Sequence, residues 1–584
     1  MSDNLSSEGS WPTWKYVIAA SIPVAICGAG LYYYLNTGKK ETPKKLDSSP
    51  IKRFEPEGSS SPNRPADVPL TPKAVVKPTK SELQQAQELK NEGNRLFKQG
   101  SFEEAIKKYS EAIEVCPDKH NTEKSTYFQN KAAALEKMLD WEGVVRECTS
   151  AIQLNQRYVK ALFRRGKALE KLHRKEECLE DITTVCILEG FQNANSMVYA
   201  DEMLKAIGKE KATEKYKGRK HTMPSSLFIK QYFASFNDDI ISFPVTEDQK
   251  LQATESGYLR AKLDMEKSDY TNVIDNCTKE IADGSKCCDD AGDKTEEPTA
   301  NFVAEAYLLR GTFYLLLGDS EAARSDLQSV IDMKDVNVKL RANALIKRGS
   351  MNMQLQNTAK AESDFNEAVT IDPENCDVFH HRGQLHILLD KVEDALADFD
   401  KCIQLKPEFA MAHAQRCYTN YRQSFSKKDV IQTQNAVQQF EEIIKKYPTC
   451  SETYGLYAQA KTDSQDFEKA DSLFKDAIKI EPENATLYVH RGLLALQWKQ
   501  DIDAAVKLIS QALEIDSKCD FAHETMGTIE VQRGNLDKAI THFGVAIDFA
   551  KSELEMAHLF ALQAAALAQG NIARKYGLRP PMPM

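Results

Sequence analysis

The chain has 584 residues, 42% of them hydrophobic and 28% charged, with a formal net charge of -10. That length exceeds one ordinary globular domain, and the acidic balance excludes a general nucleic-acid binder, whose footprint would be basic. Thirteen cysteines lie scattered without paired spacing, Cys148 and Cys402 at helical core positions, which suits a reducing compartment. Cys287 and Cys288 adjoin in an acidic loop, but no second Cys or His pair stands at zinc spacing, so neither metal nor cofactor is expected. No phosphate-cradling Gly-rich loop, no His-Glu-x-x-His and no Gly-x-Ser-x-Gly is found, and the chain does not read as an enzyme.

In chain order, residues 1-15 are a short leading segment. Tyr16 to Leu35 carries no charge and is about 20 residues long, the length that spans a bilayer. Trp11, Trp14 and Tyr16 flank one end and Tyr32, Tyr33 and Tyr34 the other, like interfacial aromatic belts. A cleaved signal peptide would want positive charge before its apolar core. Here only Lys15 precedes it, whereas Lys39, Lys40, Lys44, Lys45, Lys52 and Arg53 follow. Residues 16-35 therefore read as an uncleaved transmembrane anchor that leaves the bulk of the chain in the cytosol. Moderate hydrophobicity and a strong basic flank lean towards the mitochondrial outer membrane, with 1-15 in the intermembrane space. Residues 36-80, rich in Pro, Ser and Lys, read as a disordered tether with a reach of roughly 35–40 Å.

From Ser81 the pattern is helical and self-similar at the period of tetratricopeptide repeats, so the fold class is an all-α solenoid behind an N-terminal transmembrane helix. Residues 81-190 carry three repeats, the first marked by Gly93, Leu96, Gly100, Phe102, Ala105, Tyr109, Ala112 and Pro117. Asp118 to Lys124 reads as a longer inter-repeat loop. Residues 191-299 read as a divergent helical connector that includes MPSSLFIKQYFASF (Met223 to Phe236) and ends in an acidic loop, Gly284 to Pro298. Residues 300-576 resume the repeats as about seven units, with an insertion near Ser424 to Gln434 and a capping helix over Met556 to Tyr576. Residues 577-584 are a tail.

Five residues in the three-repeat domain carry a chemistry. Lys90 with Asn94, and Lys160 with Arg164, are i, i+4 pairs, so each pair projects from one helix face. Asn130 precedes Arg164 by about 34 residues, one repeat period. First helices of stacked repeats line a shared groove, and these five side chains would converge on it as donors without an acid, a set suited to carboxylates. A solvated basic face is the blander reading of the charges. The two asparagines, which cost helix propensity, argue for hydrogen bonding to a ligand. In the C-terminal array, His381, Arg382 and Gln384 could face a second groove that accepts extended apolar segments, although they could equally be ordinary helix-surface residues.

KNEGN (Lys90 to Asn94), YFQN (Tyr127 to Asn130) and KALFR (Lys160 to Arg164) resemble the dicarboxylate clamp of chaperone-adaptor tetratricopeptide domains. The whole order of parts, with MPSSLFIKQYFASF and DVFHHRGQLHILL (Asp377 to Leu389), resembles the 70-kDa-class receptors of the outer mitochondrial membrane translocase. The resemblance implies that Lys90, Asn94 and Asn130 hold the terminal carboxylate and last Asp of the Glu-Glu-Val-Asp tail of heat-shock protein 90 and heat-shock protein 70 chaperones. Lys160 and Arg164 would hold the upstream backbone and carboxylates. It further implies a receptor that takes hydrophobic precursors lacking a presequence, such as carriers, and passes them to other translocase subunits at the pore. A membrane-anchored chaperone adaptor at the endoplasmic reticulum is the alternative.

Overall fold

The structure, a computed structural model, describes residues 81–252, 256–289 and 302–578, with side chains described except at 251, 252 and 285–289. The anchor, the tether and most of the acidic loop and tail expected from the sequence lie outside the described residues. Among those described, no helix is long and apolar enough to cross a membrane. They form 26 helices and no strand, in two compact units, one running to Asn193 and the other beginning at Ala194.

The first unit is three antiparallel helix pairs: α1 (Glu82–Gln99) with α2 (Phe102–Val115), α3 (Asn121–Lys137) with α4 (Trp141–Leu154), and α5 (Val159–Lys171) with α6 (Lys175–Leu188). Ser81 starts α1 through a capping box with Gln84, and Gly100 ends it at φ 85. The equivalent left-handed position is held by Leu139 (φ 62) after α3 and His173 (φ 59) after α5, each at a cost of about 1 kcal/mol that tertiary packing offsets. Within each pair a small residue admits a large one. A Cβ on Gly93 would lie 2.6 Å from the Tyr109 ring, so only glycine lets α2 approach α1 so closely. The expected inter-repeat loop is shorter than its sequence suggests. Asn121 to Lys124 already belong to α3, and Lys124 pairs with Asp118 at 2.6 Å.

The second unit opens with α7 (Ala194–Lys217), α8 (Ser226–Ala234), α9 (Glu247–Gln252), α10 (Gly257–Glu266) and α11 (Val273–Asp289). Seven pairs follow, with first helices α12 (Val303–Leu317), α14 (Val338–Gln354), α16 (Cys376–Leu388), α18 (Ala410–Ser426), α20 (Ser451–Asp463), α22 (Ala485–Lys499) and α24 (Asp520–Gln532). Their partners are α13 (Ser320–Asp332), α15 (Thr358–Ile371), α17 (Val392–Leu405), α19 (Val430–Lys446), α21 (Phe467–Ile480), α23 (Ile502–Ile515) and α25 (Leu536–Phe549), and α26 (Glu553–Tyr576) ends the unit.

In the second unit three findings depart from the sequence reading. The stretch expected as a connector is part of this unit's core: Ile229, Tyr232, Phe236 and Ile241 pack with Leu309, Phe313, Leu345 and Val378. Burying side chains of that size is worth about 1.5–3 kcal/mol each. The residues from Met223 to Asp239 run along the array. At one end Ser225 bonds Asp516 (2.6 Å) and Lys518 bonds the Met223 carbonyl (2.9 Å). At the other, the backbone N–H groups of Asn237 and Asp238 donate to Asp377 (2.8 Å each), and Lys347 meets Asp239 at 2.7 Å with both side chains buried. Second, the last helix is not a bare cap. It pairs along its length with α7, where Gly208 meets the Ala557 carbonyl so closely that a Cβ would lie 2.2 Å from it. Gly284 to Asp289, expected in the acidic loop, continue α11.

Candidate peptide-binding site

In the first unit α1, α3 and α5 lie side by side, and the five sequence-selected residues are on these helices. The Asn130 amide donates from Nδ2 to Asn94 Oδ1 at 3.2 Å, which ties α3 to α1. Tyr109 of α2 donates its hydroxyl to the same oxygen at 2.8 Å. Arg164 Nε donates to Glu136 Oε2 of α3 at 2.7 Å, while its Nη1 is buried without a protein partner. Lys90 and Lys160 enter no hydrogen bond or ion pair with the described residues. The site therefore offers two uncommitted ammonium groups, part of a guanidinium and the Asn94 N–H groups, a donor set suited to carboxylate oxygens.

The neighbouring arginine does something else. Arg165 is buried and forks onto Asp181 (2.7 and 2.6 Å), with a third bond to Thr149 at 3.1 Å. Arg164 and Arg165 are thus separated by one position in sequence and by role. Beneath them burial pushes the Cys148 thiol up to about 12, so it stays protonated and inert. Sequence reasoning missed Tyr109 and Glu136. Tyr109 reads as a repeat core residue, and Glu136 sits six residues beyond Asn130, off any periodic cue.

In the second unit burial corrects the expectation for His381, Arg382 and Gln384. His381 is 3% exposed and Gln384 1%. The His381 ring lies 4.6 Å from that of Phe236, and its Nδ1 bonds Gln384 Oε1 at 3.2 Å. Burial, with Lys347 nearby, pulls the His381 imidazole down to about 4. Arg382 is held by Asp398 at 2.6 Å, one instance of a latch that recurs as Arg165–Asp181, Arg310–Asp326 and Arg348–Asp364. In each case the partners are 16 residues apart, arginine on the first helix and aspartate on the second. That spacing was the available signal that Arg382 is structural. One open cavity lies farther along, of about 330 Å³, walled by Leu227 and Phe228, Met411, Leu456, Phe474 and Phe521, with Glu452, Glu481 and Asp516 also at its lining.

The tetratricopeptide-repeat family matches at residues 304–337, 342–375, 377–409 and 451–484, and a related TPR repeat at 93–121. The fold is accordingly a tetratricopeptide-repeat α-solenoid, a class that presents stacked helices as binding surfaces. The chain is 52% identical to the human mitochondrial import receptor subunit TOM70, over 98% of this chain and 94% of that one. It is 24% identical to TOM70 of Saccharomyces cerevisiae, over 83% and 80% of the two chains. The crystal structure of yeast Tom70 resembles it with a TM-score of 0.49 and 22% identity, across 85% of this chain and 98% of that one. The chain belongs to the TOM70 family of mitochondrial import receptor subunits.

Proposed function

We propose that this chain is a single-pass receptor of the mitochondrial outer membrane, anchored by residues 16-35 with its bulk in the cytosol. Its first unit docks the C-terminal Glu-Glu-Val-Asp of heat-shock protein 90 and heat-shock protein 70 chaperones. Its second unit receives hydrophobic precursors lacking a cleavable presequence, such as carriers, for transfer to the pore with other translocase subunits. The observation that carries the docking role is the donor cluster: Lys90 and Lys160 without anionic partners, beside Asn94, Asn130 and the unpartnered Nη1 of Arg164. Lys90, Asn94 and Asn130 take the terminal carboxylate and the last Asp side chain, and Lys160 and Arg164 the upstream backbone and carboxylates. The relatives' identity as mitochondrial import receptor subunits supports the outer membrane over the endoplasmic reticulum.

Removing a charged donor costs about 1.5–3 kcal/mol, so Arg164→Ala should weaken a Glu-Glu-Val-Asp peptide by roughly ten- to a hundredfold in calorimetry. Wild-type affinity in that variant would remove Arg164 from the site. For the precursor, the cavity, whose lining mixes apolar and charged side chains, is a better receiving surface than the buried His381 and Gln384. Photoreactive groups on a carrier precursor should cross-link to Met411 or Leu227, and cross-linking at His381 instead would overturn that placement.

A further inference from the structure

Among the described residues, four helix pairs press a glycine of the first helix onto an aromatic ring of the second: Gly93 on Tyr109, Gly349 on Phe365, Gly383 on Phe399 and Gly527 on Phe543. A Cβ at these glycines would lie 2.6, 3.1, 2.8 and 2.7 Å from the respective rings, so the packing is the same device used four times. Three of the rings are phenylalanines, buried to 0%, 0% and 1% exposure. The packing therefore needs a ring and not a hydroxyl. Only the pair at the clamp carries one, and it is aimed at Asn94.

We propose that Tyr109 is a positioning residue of the clamp: its hydroxyl fixes the Asn94 side-chain amide so that the N–H groups, and not the carbonyl, face the bound carboxylate. Asn94 Oδ1 accepts from Tyr109 at 2.8 Å and from Asn130 Nδ2 at 3.2 Å, which occupies both its lone pairs within the protein. Both Asn94 amide protons are then left for a ligand. Turned the other way, the amide would set its oxygen against the ligand's carboxylate and leave the buried phenolic proton without its acceptor, at full desolvation cost. Burial pushes the Tyr109 phenol up to about 12, so it remains a donor at every physiological pH. The fold's own use of Phe365, Phe399 and Phe543 at the same position makes Tyr109→Phe a substitution that the packing accepts.

This inference rests on the reading of the first unit as a carboxylate clamp, and the test separates the two. A Glu-Glu-Val-Asp peptide is titrated calorimetrically into the full-length chain in detergent, alongside its C-terminal amide. Tyr109→Phe should bind the free-carboxylate peptide about three- to tenfold more weakly, the loss of one net hydrogen bond's worth of orientation, with its thermal midpoint unchanged. In an Asn94→Ala background the same change should cost nothing further, since the group it orients is gone. Asn94→Asp, which still accepts from Tyr109 and Asn130 but replaces the outward N–H groups by a carboxylate oxygen, should abolish binding and keep the fold. Wild-type affinity in Tyr109→Phe while Arg164→Ala loses the peptide would overturn the role of Tyr109 alone. An equal loss in the Asn94→Ala background would do the same. A wild-type chain that does not distinguish the free carboxylate from the amide would overturn the clamp and this inference with it.

Discussion

Lys347 is fully buried, its ammonium 2.7 Å from the Asp239 carboxylate and 4.0 Å from the Phe236 ring centre. This pair joins α14 to the segment that runs along the array, its partners 108 positions apart in sequence. Lys347→Met removes one charge and leaves Asp239 buried with only the Ile241 N–H (3.2 Å) to bond it. Stranding a buried charge in this way costs about 3–5 kcal/mol. The cost should fall on the segment that Asp239 anchors, because next to it the backbone N–H groups of Asn237 and Asp238 are held by Asp377 and the Asp238 side chain by Lys406 (3.2 Å), partly exposed contacts that do not replace a buried ion pair. By hydrogen exchange, the amides of Asn237, Asp238 and Ile241 should lose protection by more than about a hundredfold, the factor that 3 kcal/mol represents. Amides of α24 and α25 should be little changed. Adding Asp239→Asn should restore at least half of the loss, since a neutral amide keeps the Ile241 bond without a charge to desolvate. Equal loss of protection across the whole unit, or no rescue by the second substitution, would refute the anchoring role.

Arg382→Met should lower the thermal stability of the full-length chain by about 1.5–3 kcal/mol, as should Arg348→Met, because each removes the charged donor of an equivalent latch and leaves Asp398 with His386 (2.9 Å) and Asp364 with the Asn352 amide (2.8 Å). Cross-linking to precursor should persist in both below their unfolding temperature. Gly383→Ala drives a methyl to 2.8 Å from the Phe399 ring and should cost about 1–3 kcal/mol, with Phe399→Leu giving part of it back in the double variant. His381 is held neutral down to about 4, chiefly by burial. Above pH 6.5 neither folded nor unfolded state binds its proton. Between about 6.5 and 4 the unfolded state binds more, so stability falls as pH drops through that window. Burial of Asp377 raises its carboxyl to about 6, which acts in the opposite sense over part of the same range. The fall in thermal midpoint from pH 6.5 to 4.5 should therefore be smaller in His381→Phe than in wild type, and an identical fall would remove His381 as a contributor.

What the sequence determined by itself is what repeats at short range. A helix pair closes over some 34 residues, so its small and large positions, such as Gly93 with Tyr109 and Gly383 with Phe399, recur at a fixed spacing and can be read without a structure. The candidate carboxylate residues were proposed on the same ground: they recur on the first helices of successive repeats. Contacts that join distant parts of the chain leave no such period. Thr213 reaches Glu553 across 340 residues and Ser225 reaches Asp516 across 291. The apolar pattern of Met223 to Phe236 announces that it is buried but not what buries it. Only the tertiary structure decided that this segment lies against the array, that His381 and Gln384 are consequently enclosed, and that the open cavity is elsewhere. It also decided between adjacent, chemically identical residues. Arg165 turns to Asp181 and Arg164 to Glu136 because a helix rotates about 100° per residue, which buries one and leaves the other partly exposed.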